Sequence, residues 1–181
     1  MVSQILRGGK EISVEMGRVS FQSEDIPVEG PCREVIDEKI VIDDVSFTYC
    51  AATIGNPHCV IVKGEISKEE ACKYGPSIEI DSLFPNRTNV QFMRILDRNN
   101  IQIEIWERGV GYTLASGSSA SASAAVAFRL GHIDSHVTVH MPGGNIEIEI
   151  AEDFSIRMTG AVTRVCEGHI DLEIFDTITR V

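Results

Sequence analysis

The chain has 181 residues and a formal charge of −11 at pH 7, with 43% hydrophobic and 24% charged residues. This length and composition are typical of a globular domain. The acidic balance argues against binding to nucleic acid or an anionic membrane surface, because Lys and Arg do not cluster along the chain. With no signal-peptide pattern and no apolar run long enough to span a bilayer, the sequence predicts a cytoplasmic protein.

Short strands separated by turn residues are predicted through the first third of the chain. Apolar residues alternate over 12–16, as expected for a half-buried strand. Strands over 35–41 and 45–49 are expected to form a hairpin about Asp43-Asp44. Residues 23–31 read as a surface loop, and an apolar strand is predicted over 59–62.

A first helix is predicted after Ser67. Ser67 followed three residues later by Glu70 is a capping box, in which each side chain satisfies a free backbone N–H at the helix start. The helix is expected to run to about Tyr74, because Gly75 and Pro76 both disfavour its continuation. Further strands are predicted beyond it, over 89–96, 101–106, 136–140, 146–150, 154–158 and 162–172.

A second helix, over Gly117–Leu130, is predicted to be enclosed by other structure. Its residues are mainly Ala and Ser with no charge before Arg129, and a surface helix would carry a polar face. Gly131 is expected to end it. The predicted fold is therefore α+β, with antiparallel strands forming a barrel-like wrap around one central buried helix. The residues expected to be buried are Ala120, Ala124, Ala127 and Phe128.

The start of this second helix is a candidate anion site. The backbone N–H groups of Gly117 and Ser118 lie at the positive end of the helix dipole, and the Ser116 and Ser119 hydroxyls could add donors. A phosphate or a carboxylate would suit such a position. The alternative is that these serines only cap the helix and fill a tight interior.

Cysteine and histidine residues do not predict a metal centre. The five cysteines include no Cys-x-x-Cys pair, which favours reduced thiols, most of them in the core. His132, His136 and His140 are spaced by four and would align on a helix as metal ligands. However, the alternating residues between them favour a strand, so we predict no metal.

Five motifs are distributed along the chain: Gly55-Asn56-Pro57-His58, Phe84 to Val90, Trp106 to Ala115, Pro142-Gly143-Gly144 and Met158-Thr159-Gly160. In order and spacing they resemble the C-terminal half of diaminopimelate epimerase, and Val14 to Gly17 resembles the segment that opens that half. The resemblance covers almost the whole chain. It implies an amino-acid epimerase or racemase that needs no cofactor and binds its substrate in a cleft between two similar domains.

The resemblance also assigns substrate-binding residues. Asn56 and Asn89 match substrate-binding amides, although an Asn in a turn is the simpler interpretation of Asn56. Arg108 matches the guanidinium that binds the distal carboxylate of diaminopimelate, for which a bidentate fork suits the geometry. Gly117 and Ser118 match the amides that hold the α-carboxylate.

The catalytic assignments are less complete. Glu107 and His58 match polar residues that assist proton transfer in the family; the simpler interpretations are a surface ion pair of Glu107 with Arg108 and a loop histidine. Ser116 occupies the position of a catalytic thiol, and a hydroxyl is a much weaker base. Tyr112 replaces a glutamate that the family usually has.

Residues 1–181 contain no counterpart of the family's N-terminal half, which carries the opposing thiol. The chain is therefore expected to be inactive alone and to require the N-terminal domain or a second copy. Two other functions remain open. One is a relative of the phenazine-biosynthesis isomerases, which share the fold and use carboxylate chemistry. The other is a catalytically inactive domain that binds an amino acid.

The final segment, 162–181, is expected to be a strand that in the family crosses back to complete the N-terminal domain. Without that partner an apolar strand edge promotes association. We therefore expect this segment to pair with a second copy of the chain, giving a dimer, or to fold back on its own domain. The apolar residues concerned are Val165, Ile170, Leu172, Ile174 and Phe175.

Overall fold

The computed structural model describes residues 2–171, which form eleven strands and two helices. Neither of these helices is long and apolar enough to cross a bilayer. In chain order the elements are β1 (Ser3–Leu6), β2 (Glu11–Arg18), β3 (Glu38–Ile42), β4 (Val45–Thr53), β5 (Pro57–Val62), α1 (Lys68–Glu79), β6 (Asn89–Asp97), β7 (Asn100–Glu107), β8 (Gly111–Thr113), α2 (Gly117–Arg129), β9 (His136–Met141), β10 (Gly144–Ile150) and β11 (Ser155–Ala161).

The strands form one mixed sheet in the order β1-β2-β11-β10-β9-β7-β6-β5-β4-β3, with β8 paired to β7. Most pairs are antiparallel, but β5 pairs with β6 and β7 with β9 in parallel. The predicted hairpin between β3 and β4 is confirmed. Asp43 and Asp44 both have positive φ, at 48° and 64°, as a type I′ hairpin turn requires.

The central strands are buried on both faces, and each face packs against a different helix. Alternate residues such as Val60 and Met93 belong to the core around α2, whereas Cys59 and Phe92 belong to a second core on the α1 side. This division follows from the period-two alternation of a strand. A side chain's position along a central strand therefore determines which helix it faces.

The enclosed helix is confirmed. Ala120, Ala124 and Ala127 are fully buried in α2, while Phe128 is only partly buried. The Ser116 side chain caps the N-terminus, and Gly131 adopts a φ of 74° just beyond the C-terminus. Small residues let the strands on this face approach the helix axis closely.

The predicted end of the first helix is wrong. α1 continues through Gly75 and Pro76 to Glu79. Gly75 serves tertiary packing here and not helix termination, because a Cβ at this position would lie only 2.6 Å from Cγ of Trp106. The absence of a side chain allows the tryptophan to pack directly on the helix. At the other end the Ser67 half of the capping box is confirmed, since Ser67 Oγ accepts a hydrogen bond from the Glu70 N–H. The Glu70 carboxylate pairs with Lys63 and not with the Ser67 N–H.

The strands surround α2, but the predicted barrel-like wrap is not confirmed, because the sheet does not close on itself. α2 contacts β4 to β7 and β9 to β11, so the sheet curves around it. The sheet nevertheless has two edges, β1 and β3. Between its two ends a bridge at Ser20 and Thr53 makes two backbone hydrogen bonds, of 3.0 and 2.9 Å. One such bridge does not continue the ladder, so the sheet remains open.

Two smaller expectations also need correction. All five cysteines are free thiols, but only Cys50 and Cys59 are buried. The loop at 23–31 places Ile26 and Val28 in the α1-side core, so it is more than a surface loop. Within residues 2–171, no cluster of His, Cys, Asp or Glu could hold a metal ion.

The predicted strand at the C-terminus is wrong for the part that the structure describes. Residues 162–171 have no regular structure, and Val165 and Ile170 are exposed. The preceding strand, β11, already pairs with β10 on one side and β2 on the other, so it offers no free edge. Leu172, Ile174 and Phe175 lie outside the described residues.

The association expected of this segment remains a prediction. We expect the full chain to form a dimer at micromolar concentration and a chain ending at Ala161 to be monomeric, because the exposed apolar side chains of Val165 and Ile170 lie beyond that residue. Size-exclusion chromatography with light scattering would measure both masses. Equal monomeric masses would show that the segment needs no partner.

Candidate active site

The strand ends at one edge of the sheet bring several predicted site residues together. β5 and β6 are parallel and pair His58 with Asn89, while β7 is antiparallel to β6 and ends at Glu107 beside them. By alternation, all three side chains belong to the face that packs against α2. The N-terminus of α2, at Gly117, therefore lies over a row of polar side chains.

A hydrogen-bonded chain joins the start of α2 to the loop before β5. Asn56 Nδ2 donates to Ser118 Oγ at 3.4 Å, and Ser118 Oγ lies 3.5 Å from Ser116 Oγ. On its other side Asn56 Oδ1 lies 3.0 Å from His58 Nε2. Four of the predicted site residues thus form one connected cluster.

His58 is fully buried beneath this cluster. Burial lowers the pKa of His58 to about 4; the Gln91 side chain opposes this shift, and the positive charge of Arg108 adds to it. His58 is therefore neutral at pH 7. Neither His58 Nδ1 nor the facing Gln91 Oε1 has a hydrogen-bond partner within residues 2–171.

Gln91 is a polar residue of this region that the sequence did not reveal. It is fully buried, and its Nε2 donates to Ser119 Oγ at 3.1 Å. It therefore ties β6 to the first turn of α2. Its place two residues after Asn89, on the same face of the strand, is the one sequence signal that could have identified it.

The buried histidine predicts a specific pH dependence of stability. In the unfolded chain His58 titrates near 6.5, and in the folded chain near 4, so the unfolded state binds more protons between these values. The free energy of unfolding should thus fall by roughly 3 kcal/mol as the pH drops from about 6.5 to about 4. Denaturant unfolding across this range would measure it.

His58→Gln is the matched control for this titration, because it removes the ring and keeps a donor toward Asn56. It should flatten the stability profile above pH 4.5. Carboxylates with a lowered pKa, such as Glu38, stabilise the fold at higher pH, and this stabilisation is lost only as the pH falls below about 4.5. An unchanged profile in the variant would contradict the assignment to His58.

Arg108 lies beside this cluster and is partly buried. Its Nη1 donates to the Asn86 carbonyl oxygen at 2.9 Å, and its backbone N–H donates to Asn89 Oδ1 at 3.0 Å. Within residues 2–171 its guanidinium makes no ion pair with any carboxylate, including Glu107. In a chain of net charge −11, an unpaired and partly buried cation is suited to bind an external anion.

Asn89 does not present a free amide. Its Nδ2 donates to the Pro57 carbonyl oxygen at 2.8 Å while its Oδ1 accepts from the Arg108 backbone. Asn89 thus links the loop before β5 to the loop after β7. Its predicted contact with substrate remains a prediction, and in this structure it holds Arg108 in place.

Glu107 and Tyr112 face in different directions. Glu107 accepts from Thr113 Oγ1 at 3.4 Å at the edge of the site. Tyr112 belongs to the α1 side, where its hydroxyl donates to the buried Glu104 at 2.6 Å. Burial raises the pKa of Tyr112, with Glu104 adding to the shift. Tyr112 is therefore directed away from the cluster.

Ser116 acts as the N-cap of α2, and its Oγ accepts from the Ser119 N–H at 3.4 Å. Within the described part of the chain, its other hydrogen-bond partner is the Ser118 hydroxyl. The N–H groups of Gly117 and Ser118 are directed out of the helix, where no acceptor of residues 2–171 meets them. These two amides and Ser116 could together hold a carboxylate.

Two of the motifs noted in the sequence support the start of α2. Gly143 N donates to the Leu114 carbonyl oxygen at 2.7 Å, and a Cβ at Gly143 would lie 2.9 Å from that oxygen. A Cβ at Gly117 would similarly lie 2.8 Å from Met158 Sδ. Both glycines therefore permit close packing against the segment that carries Ser116.

The fold is shared with solved structures of a probable proline racemase and of a phenazine biosynthesis protein. The probable proline racemase from Agrobacterium radiobacter aligns with a TM-score of 0.63 and 15% identity, covering 95% of this chain and 57% of that chain. A phenazine biosynthesis protein from Bacillus anthracis aligns with a TM-score of 0.54 and 12% identity, covering 89% and 62%. At these identities the likeness shows the fold alone.

The sequence comparisons identify the family. The family model of diaminopimelate epimerase matches residues 50–165. Diaminopimelate epimerase 2 of Nostoc sp. is 61% identical over 173 residues, which cover 96% of this chain and 61% of the relative. The chain belongs to the diaminopimelate epimerase family, and it spans about three fifths of the length of this relative.

Proposed function

We propose that this chain supplies the substrate-binding half of a diaminopimelate epimerase-like enzyme that needs no cofactor. The amides of Gly117 and Ser118 bind the α-carboxylate, and Arg108 binds the distal carboxylate. The observation that carries this proposal is that, within residues 2–171, the Arg108 guanidinium has no carboxylate partner and the Gly117 and Ser118 amides at the α2 N-terminus have no acceptor. Two anion-binding groups at one edge of the sheet match a substrate with two carboxylates.

The proposed chemistry removes the Cα proton from one face of the substrate and returns a proton on the other, which requires two acid/base groups. In the absence of a cofactor, the amides at the α2 N-terminus stabilise the charge that develops on the α-carboxylate. We assign the acid/base role on this side to Ser116, assisted by Glu107 and His58. The opposing group is provided by an N-terminal domain or by a second copy.

A second candidate function is binding without catalysis. The hydroxyl of Ser116 has Ser118 Oγ and the Ser119 N–H as partners, and neither can take its proton as a base would. A phenazine-type isomerase has weaker support, because that likeness is limited to the fold, whereas the 61% identity is with a diaminopimelate epimerase. A cytoplasmic location and a role in the lysine and peptidoglycan-precursor pathway remain predictions from sequence and family.

Calorimetric titration with two amino acids tests the proposed binding. We expect meso-diaminopimelate to bind at least about tenfold more tightly than lysine, which lacks the distal carboxylate, since a hydrogen bond to a charged group contributes roughly 1.5–3 kcal/mol. Equal affinities for the two amino acids would contradict the proposal that Arg108 binds the distal carboxylate. No binding of either would contradict the function as a whole.

A further inference from the structure

Glu79 is a buried carboxylate at the last position of α1, and only 6% of its surface is exposed. Its placement is unfavourable in two ways. A helix C-terminus carries a partial negative charge, and burial removes the hydration of the carboxylate. Compensating contacts are therefore needed to hold the side chain there.

These contacts all come from the segments that flank the candidate site. Glu79 Oε2 accepts from the Trp106 indole N–H at 2.7 Å, and Oε1 accepts from the Gly109 backbone N–H at 2.9 Å. Arg87 Nη1 completes the set, at 3.4 Å from Oε1. Trp106 precedes Glu107 and Arg108 in the chain, and Gly109 follows them. One carboxylate thus fixes both ends of the segment that carries the two site residues.

The same helix also fixes the tryptophan ring. Gly75 lies one helical turn before Glu79, and the Trp106 ring packs so closely on it that a Cβ would be 2.6 Å from Cγ. α1 thus holds the ring by contact and the indole N–H by a hydrogen bond. The position of the 107–108 segment is set from the face of the sheet opposite α2.

We propose that Glu79 is a positioning residue for Arg108 and Glu107 and that it thereby sets recognition of the substrate's distal carboxylate. The inference rests on the proposed function of Arg108. Glu79 does not touch the substrate. It acts through the two hydrogen bonds to Trp106 and Gly109, which hold the segment that carries Arg108 in place.

Glu79→Gln is the sharpest test, because the side chain keeps its shape but has one oxygen that can accept a hydrogen bond, whereas the carboxylate accepts with both. The amide NH₂ would then face one of two N–H donors, which is repulsive. Ser67→Ala is the matched control. It removes the cap at the other end of α1, which costs about 1 kcal/mol, and leaves the 107–108 segment untouched.

The first readout needs no ligand. Trp106 is the only tryptophan of the chain, so its indole N–H gives a single identifiable ¹H–¹⁵N resonance. In Glu79→Gln we expect the indole N–H and the Gly109 amide to exchange with solvent at least about tenfold faster, with no such change in Ser67→Ala. Unchanged exchange in Glu79→Gln would overturn the proposal, whether or not the chain binds diaminopimelate.

The second readout is selectivity between diaminopimelate and lysine. A general loss of stability would weaken the binding of both ligands equally. Displacement of Arg108 should instead reduce the preference for diaminopimelate over lysine at least about threefold. An unchanged preference would overturn the positioning role. If the wild-type chain binds neither ligand, the proposed function fails while the exchange experiment still decides the role of Glu79.

Trp106→Phe keeps the proposal testable if Glu79→Gln does not fold. Phenylalanine retains a ring against Gly75 and removes only the indole N–H. With one of the two hydrogen bonds lost, we expect faster exchange of the Gly109 amide and a smaller drop in selectivity. If the Gly109 amide is as protected from exchange as in the wild type, the two hydrogen bonds do not hold the segment together.

Discussion

Replacing Arg108 with alanine is expected to raise the dissociation constant for meso-diaminopimelate at least about tenfold. The guanidinium has no carboxylate partner within residues 2–171, so its removal would eliminate a charged donor without releasing an internal ion pair. Affinity for lysine should change much less, since that ligand lacks the distal carboxylate. Titration calorimetry on both ligands would measure the difference.

Two further variants make this test specific. Arg108→Lys retains the charge but loses the planar fork, so it should give an intermediate affinity. Arg157→Ala removes an exposed arginine of β11 that pairs with Glu149 outside the site, and it should leave the affinity unchanged. Equal losses for Arg108→Ala and Arg157→Ala would indicate a general effect of net charge.

The isolated chain is expected to show no measurable racemisation of diaminopimelate. A two-base reaction has here one weak base, Ser116, and general acid–base catalysis by one positioned group accounts for about 10²–10⁴-fold in rate. Incorporation of deuterium at Cα in heavy water, followed by mass spectrometry, is the appropriate measurement. It detects removal of the proton from either face.

The full-length Nostoc relative, run under the same conditions, shows that the assay can detect turnover. Ser116→Ala shows whether any residual exchange depends on the hydroxyl. Exchange by the isolated wild-type chain that disappears in Ser116→Ala would contradict the expectation, and it would establish Ser116 as a functional base.

The sequence predicted those parts of the fold that depend on local chemistry. Ser67 caps the start of α1 and Gly131 follows the end of α2 as expected, because capping needs only neighbouring residues. The uncharged composition of α2 predicted its burial. The continuation of α1 through Gly75 was missed, because the glycine packs against a tryptophan 31 positions later in the chain and does not mark a helix end. Closure of the sheet was likewise not a local property, and the sheet is open.

The sequence identified candidate site residues, but it did not predict the hydrogen bonds that they make. The motif resemblance selected Asn56, His58 and Arg108, which the structure brings together. It gave no indication that the Asn89 amide is bonded to backbone at both ends, since hydrogen-bond partners depend on strand register. Glu79 carries no sequence signal, because a glutamate near a helix end usually lies on the surface.

Chemical-shift mapping with diaminopimelate tests the central claim most directly, namely that the N-terminus of α2 and Arg108 form one site for an amino acid with two carboxylates. We expect the largest shifts at the Gly117 and Ser118 amides and at the Arg108 side chain. Another candidate location is the cleft of about 580 Å³ lined by Glu15, Arg18 and His136. Shifts confined to that cleft, with none at Gly117 and Ser118, would contradict a site at the N-terminus of α2.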